Sequence, residues 1–267
     1  MTISIEAHVA FRFDQPTDFL LQMEAAAIPE QQLSGPGLSI SASEHTARVS
    51  GEDMIGERIW LRCQGDFTAD YAITAQIART IGDIQTLNAL PPHRLPGETV
   101  SYLFDSRFCP ADRFQPFVEA EFGGTSGGER IEAIRSWVAS NFSYAPGTSD
   151  ATTTAVDSFV ERRGVCRDFA HVVVALARAS AIPARFVSCY APDVQPQDFH
   201  AVAEVFLADP GGEENSIGSW HLIDATGMAT PSDIVKIGLG RDAADVSFLT
   251  CYGMTQLQDK RISVQRG

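Results

Sequence analysis

A chain of 267 residues with 44% hydrophobic and 20% charged side chains can bury one large core or two smaller ones, which excludes a disordered or fibrous protein. Its formal charge of −14 repels polyanions, so nucleic acid and anionic membrane surfaces are not expected partners. The opening MTISIEAHVAFRF has neither a cationic nor an apolar leader segment, and no run reaches membrane-span length, so a cytoplasmic location is expected.

From the first residues the pattern is β. Ile3, Ile5, Ala7, Val9, Phe11 and Phe13 alternate with Ser4, Glu6, His8, Ala10 and Arg12, the period of a half-buried strand. The pattern returns at Leu38/Ile40/Ala42, at Ile59/Leu61/Cys63 and at Tyr71/Ile73/Ala75/Ile77, with turn residues such as Ser34-Gly35-Pro36-Gly37 and Gly65-Asp66 between. Short punctuated strands of this kind predict a β-sandwich-like domain over residues 1–100. Leu90-Pro91-Pro92-His93-Arg94-Leu95-Pro96-Gly97 reads as a linker, leaving 101–267 as a second domain.

Helical spacing follows. Phe114, Phe117, Val118 and Glu121 mark one helix, with Pro110 suited to its first turn. Ser126 and Glu129 have capping-box spacing ahead of Ile131, Ile134, Trp137 and Val138. A third helix is predicted over 154–162, stopped by Gly164, and a mostly buried one begins at Cys166. Strands are then predicted over 184–190, 201–207 and 220–224, so the domain is α+β, helices packed on an antiparallel sheet.

The five cysteines (63, 109, 166, 189 and 251) are odd in number and contain no CxxC pair, which argues against a disulfide framework or a zinc knuckle. Most thiols of this kind are small core residues. Cys63 and Cys189 sit within strand patterns, whereas Cys166 stands at a helix start, where the dipole and free N–H groups favour a thiolate. A nucleophilic thiol needs a base, and the base needs a group to fix its tautomer. His200 opens one predicted strand and Asp224 closes the next. Antiparallel pairing of the two strands would set these residues side by side, within reach of the helix start that carries Cys166.

Other signals carry less. Gly238-Leu239-Gly240-Arg241-Asp242-Ala243 matches GxGxxA, but no crossover helix pattern follows it. Asn141-Phe142-Ser143 is a glycosylation sequon with no secretory context. His171 is expected in a core or capping role, the alternative being support of Cys166 one turn away, and Asp168 at the helix dipole. Arg167 and Arg185 are expected as solvated cations, the alternative being a place in a cleft wall. Tyr144 and Trp137 are candidates for shaping an oxyanion region.

Gly164-Val165-Cys166-Arg167-Asp168-Phe169-Ala170-His171 closely resembles the core motif of bacterial transglutaminase-like proteins. The resemblance continues through Ala175–Arg178, Ile182–Ser188, Phe199–Val205, Trp220–Thr226 and Gly240–Val246. Upstream, Tyr102–Cys109 and Phe142–Thr148 look like approach segments, so it covers roughly residues 100–250. It implies a papain-like/transglutaminase-like core behind an N-terminal β domain. The implied chemistry is attack of Cys166 on an amide carbonyl to give a thioester, with His200 as base and Asp224 as orienter. No cofactor or metal is implied, and the substrate would be a peptide, a protein or a small amide. Two positions depart from the family pattern. The usual His-Ala-Trp is His200-Ala201-Val202, and the usual Asp-Pro-Thr is Asp224-Ala225-Thr226, which is expected to loosen the turn after the orienter. With no feature that recruits an amine, hydrolysis is favoured over transamidation. The alternative is an inactive binding or scaffold protein of the same fold.

Overall fold

The computed structural model of the chain describes residues 1–209 and 218–267. Its first unit is built on two long antiparallel strands, β1 (Thr2–Leu21) and β4 (Glu57–Ile77), paired from Thr2↔Gln76 to Leu21↔Ile59. β2 (Gln31–Ile40) and β3 (His45–Ser50) both pair with β4. Alternate residues of β1 and β4 point inward, as the period of two dictates. The register slips between Phe13 and Thr17, and rings on either side of the slip meet: Phe13 stacks on Phe19 at 4.7 Å and Phe19 meets Phe67 edge-on at 5.2 Å. The bulge therefore folds one sheet over itself, in place of the two separate sheets of a sandwich.

The segment expected to be a linker is tied down. It runs through short 3₁₀ turns and buries Leu87, Leu90, Thr99 and Tyr102. The helical part follows as α1 (Gln115–Phe122), α2 (Gly127–Asn141), β5 (Ser143–Tyr144), α3 (Ala155–Glu161), β6 (Arg163–Gly164) and α4 (Cys166–Ala179). Two helix ends differ from expectation. The Ser126 hydroxyl makes no capping bond; the Gly128 N–H donates instead to the Leu87 carbonyl at 2.8 Å, because the 3₁₀ segment lies against that helix start. α3 covers the predicted span, but its stop is Arg162 and not Gly164: Arg162 takes the left-handed conformation (φ 57°) and its N–H donates to Ser158 O at 2.8 Å.

The second sheet has the order β10-β7-β8-β9, every neighbour antiparallel: β7 (Ala184–Tyr190), β8 (His200–Leu207), β9 (Ser219–Ile223) and β10 (Val235–Gly240). α4 packs on it, and the apolar residues from Phe169 to Ala177 share one core with Ala184, Ala203, Val205 and Ile223. The two sheets are joined by more than apolar contact. Gln31, 1% exposed, donates to Ala26 O and Lys236 O and accepts from Lys236 N, while the Tyr190 hydroxyl donates to Met23 O at 2.6 Å.

β11 (Leu249–Cys251) and β12 (Gln256–Arg266) return to the first sheet and pair with β1, β12 from Ile3↔Arg266 to Arg12↔Gln256. The expected second domain, 101–267, therefore does not keep its C-terminal strands. The physical reason is the outer edge of β1, whose open N–H and C=O groups find partners in β12. Of β12 only Val264 is buried, so its alternation is too faint to read.

Candidate active site

Cys166 is the first residue of α4, a helix whose residues from Asp168 to Arg178 are all buried. The helix start is fixed by its own third residue: the Asp168 carboxylate accepts the Val165 N–H at 2.8 Å, the acidic half of a capping box. β5 and β6 form a short parallel pair that locks the approach, with Ala145 N donating to Gly164 O at 2.8 Å. Gly164 is required for contact rather than for conformation. A Cβ there would lie 2.5 Å from Asp168 Cβ and 2.6 Å from its Oδ2. Gly164→Ala is expected to break the cap, cost about 1 kcal/mol or more in thermal unfolding, and slow alkylation of Cys166 as the helix start shifts.

β8 and β9 pair antiparallel, Ala203 opposite Ile223 and Leu207 opposite Ser219, so the start of one lies beside the end of the other. His200 Nε2 and Asp224 Oδ2 are 3.1 Å apart in this arrangement, both side chains nearly fully buried. Asp224 is itself held: Thr226 donates its N–H and hydroxyl and Ala229 donates its N–H at 2.8 Å. The turn after Asp224 is therefore not loosened by the absence of proline, because these donors replace ring rigidity with hydrogen bonds. Burial opposes ionisation of Asp224, but His200 and Thr226 outweigh it and hold the carboxyl below its usual range.

With Nε2 on Asp224, Nδ1 of His200 is left without a hydrogen bond. The further group acting on this imidazole is Cys166. Burial disfavours the charged ring, yet Asp224 and the Cys166 thiol together raise it to about 9. Burial, and after it the charge of Cys166, pushes the Tyr144 phenol up to about 12. Cys166 is half-buried and shares with His200 a cleft of about 470 Å³ walled by Phe108, Phe186, Phe199, Val246 and Phe248. A larger cavity, about 640 Å³, opens on the far side of Asp224 between Arg79, Arg135 and His221. Neither Cys166 nor His200 lines it, whereas both line the smaller cleft.

The other thiols differ in kind. Burial alone carries Cys251 to about 11 and is the main cause for Cys109, at about 12. Cys189 is wholly buried beside His200 in the sheet and is raised well above a free thiol, chiefly by burial. His171 lies in the core as expected, stacked on Phe108 at 5.3 Å and accepting the Ala243 N–H at 3.2 Å through Nε2. Trp137 packs among Phe117, Phe142 and Phe159 and is not part of the cleft wall. Arg185 is not solvated: it is buried, bonded to Glu204 at 2.7 Å and set 3.8 Å above the Trp220 ring. The cleft residues Val246 and Phe248 escape sequence reading because they come from an irregular segment without periodicity.

Comparison with known proteins bears on the family and the fold. The family model described as transglutaminase-like superfamily matches residues 118–225. A solved structure of a protein provisionally designated a cysteine protease, from Cytophaga hutchinsonii, is 30% identical. It superposes with a TM-score of 0.90, covering 99% of this chain and 90% of that one. Uncharacterised proteins of Mycobacterium leprae (29% over 119 residues, 44% of this chain) and Mycobacterium tuberculosis (30% over 146 residues, 51% of this chain) are also similar. The chain spans less than half the length of these two relatives, 42% and 45% respectively. The Cytophaga structure accounts for nearly the whole fold, the N-terminal sheet included, and the family model spans Cys166, His200 and Asp224: the chain belongs to the transglutaminase-like superfamily.

Proposed function

We propose that the protein is a thiol hydrolase acting at an amide bond, with Cys166 as nucleophile, His200 as proton carrier and Asp224 as the group that orients it. The observation that carries this reading is the division of the imidazole: Nε2 is engaged 3.1 Å from Asp224, while the buried Nδ1 has no other hydrogen-bond partner and Cys166 lines the same cleft. The Cys166 thiolate attacks the carbonyl carbon, and the tetrahedral oxyanion is met by the Cys166 N–H at the helix N-terminus and by the Tyr144 hydroxyl. The C–N bond breaks as the His200 imidazolium gives its proton to the leaving amine, leaving a thioester on Cys166. Neutral His200 then takes a proton from water, which attacks the thioester and releases the carboxylate. A scaffold that had lost turnover would have no need of a half-exposed thiol beside a free imidazole nitrogen.

The test uses p-nitrophenyl acetate as a simple acyl donor. One acetyl group per chain is expected on Cys166 by mass spectrometry, with a burst of nitrophenolate that Cys166→Ala removes. An unchanged deacylation rate on adding a primary amine supports hydrolysis; acceleration with an acetamide product supports transamidation instead. Tyr144→Phe is expected to slow the burst about 10- to 100-fold without unfolding the protein, as loss of one oxyanion donor does.

The pH dependence follows from His200. Because its folded value near 9 lies above the ordinary imidazole value of 6.5, acylation is expected to fall as pH rises through about 9, where the imidazolium loses its proton. Its contribution to stability has the same sign: fully present below about 6.5 and lost as pH rises through about 9, which pH-dependent thermal unfolding reads directly.

A further inference from the structure

We propose that Arg107 and Arg167 form a carboxylate subsite in the Cys166 cleft, so that the enzyme takes acidic peptides whose carboxylate lies close to the bond under attack. The inference rests on Cys166 being the nucleophile of this cleft. The chain as a whole carries a charge of −14, yet the charged residues in the cleft wall are Arg107, Arg167, Lys260 and Asp198. Lys260 and Asp198 neutralise one another at 2.6 Å, which leaves Arg107 without a counter-charge and Arg167 with only its 3.5 Å contact to Asp168. Both gather on one ring, Arg107 at 4.9 Å and Arg167 at 6.0 Å from the centre of Phe108.

These arginines are under-used by the protein itself. Among the described residues Arg107 makes no hydrogen bond or ion pair and is exposed. Arg167 donates through one Nη to the Asp150 carbonyl and lies 3.5 Å from Asp168 Oδ1, while its Nε has no partner. Arg107, resting on the Phe108 ring, keeps its in-plane N–H donors available, the geometry that takes a carboxylate two-pronged, while Arg167 adds its charge from beside it. In an otherwise acidic molecule a pair of cations in a cleft wall also focuses the field on an incoming anion. The cleft wall also carries an apolar pair, Phe199 stacked on Phe248 at 4.9 Å, which can take an apolar group of the same substrate.

The test compares alkylation of Cys166 by iodoacetate and by iodoacetamide. Each forms the same Sγ–CH₂ bond with loss of iodide, and they differ in one carboxylate. In the unmodified protein the ratio of the two rates is expected to fall as salt is raised, and Arg107→Gln is expected to lower it about fivefold at low salt. Arg107→Lys, which keeps the charge, assigns the effect to charge if the ratio is retained and to the planar fork if it is lost. Because the His200 imidazolium also attracts an anion, the salt dependence alone does not decide: a ratio that is the same in the unmodified protein and in Arg107→Gln overturns the subsite. The iodoacetamide rate alone, measured against Cys251, reports on the nucleophile, so failure of that reading is seen separately.

Discussion

Replacing His200 by alanine is expected to lower the nitrophenolate burst by roughly 10³- to 10⁶-fold, with the fold retained. The size follows from how the site is wired. Among the described residues His200 is the group that is both held by Asp224 at 3.1 Å and acted on by the Cys166 thiol, so its removal takes away base and acid together. Asp224→Asn is expected to cost less, on the order of 10²- to 10⁴-fold, because the imidazole stays but loses its preferred tautomer. Thr226 donates to one carboxylate oxygen and Ala229 to the other, so the asparagine amide must turn its NH2 toward one of these donors, and a fall in unfolding temperature of a few degrees is expected beside the loss in kcat. A burst unaffected by His200→Ala would remove the imidazole from the reaction.

Glu204→Ala is expected to produce the largest loss of stability, about 3–5 kcal/mol, lowering the unfolding temperature by roughly 10 °C. Glu204 is 1% exposed and is shared by Arg185 at 2.7 Å and Lys236 at 2.6 Å, which ties β7, β8 and β10 together. Burial works against its charge, but the two cations win and hold the carboxyl at about 2. Lys236 continues to Glu30 at 2.8 Å and Glu30 to Arg79 at 2.9 Å, so the network also binds the second sheet to the first unit. Removing the central carboxylate leaves two buried cations sharing peripheral partners. The sign with pH is the reverse of that for His200. The Glu204 contribution is present above the ordinary carboxyl range and is lost as pH falls toward about 2. Thermal unfolding of the variant at neutral pH checks the magnitude; an unchanged unfolding temperature would contradict the account.

How much of this was legible in the sequence depends on whether an element buries one face or all of itself. β1 and β4 show clean alternation because one side faces the core, and α4 shows its apolar run because it lies inside the molecule. β10, Val235–Gly240, is buried at all six positions yet contains Lys236, Gly238 and Gly240, so no period marks it. The lysine is tolerated there only because Glu204 and Glu30 receive it, a long-range fact that no local pattern records. Arg185 was unreadable for the same reason. The three reactive candidates were legible because each stands at an element end: Cys166 at a helix start, His200 at a strand start and Asp224 just past a strand. The walls of the cleft were not, since Phe248 and Val246 lie outside regular structure.

The central claim is that Cys166 is an activated thiol and that His200 activates it. Competitive labelling with iodoacetamide at about pH 6–7, read per cysteine by mass spectrometry, tests this most directly. Cys63, Cys109 and Cys189 are buried, and Cys251 is held near 11 by its surroundings, so all four serve as internal controls. The account predicts that Cys166 is labelled far faster than any of them, and that His200→Ala removes the preference. Equal rates for Cys166 and Cys251, or a preference that survives His200→Ala, would contradict it.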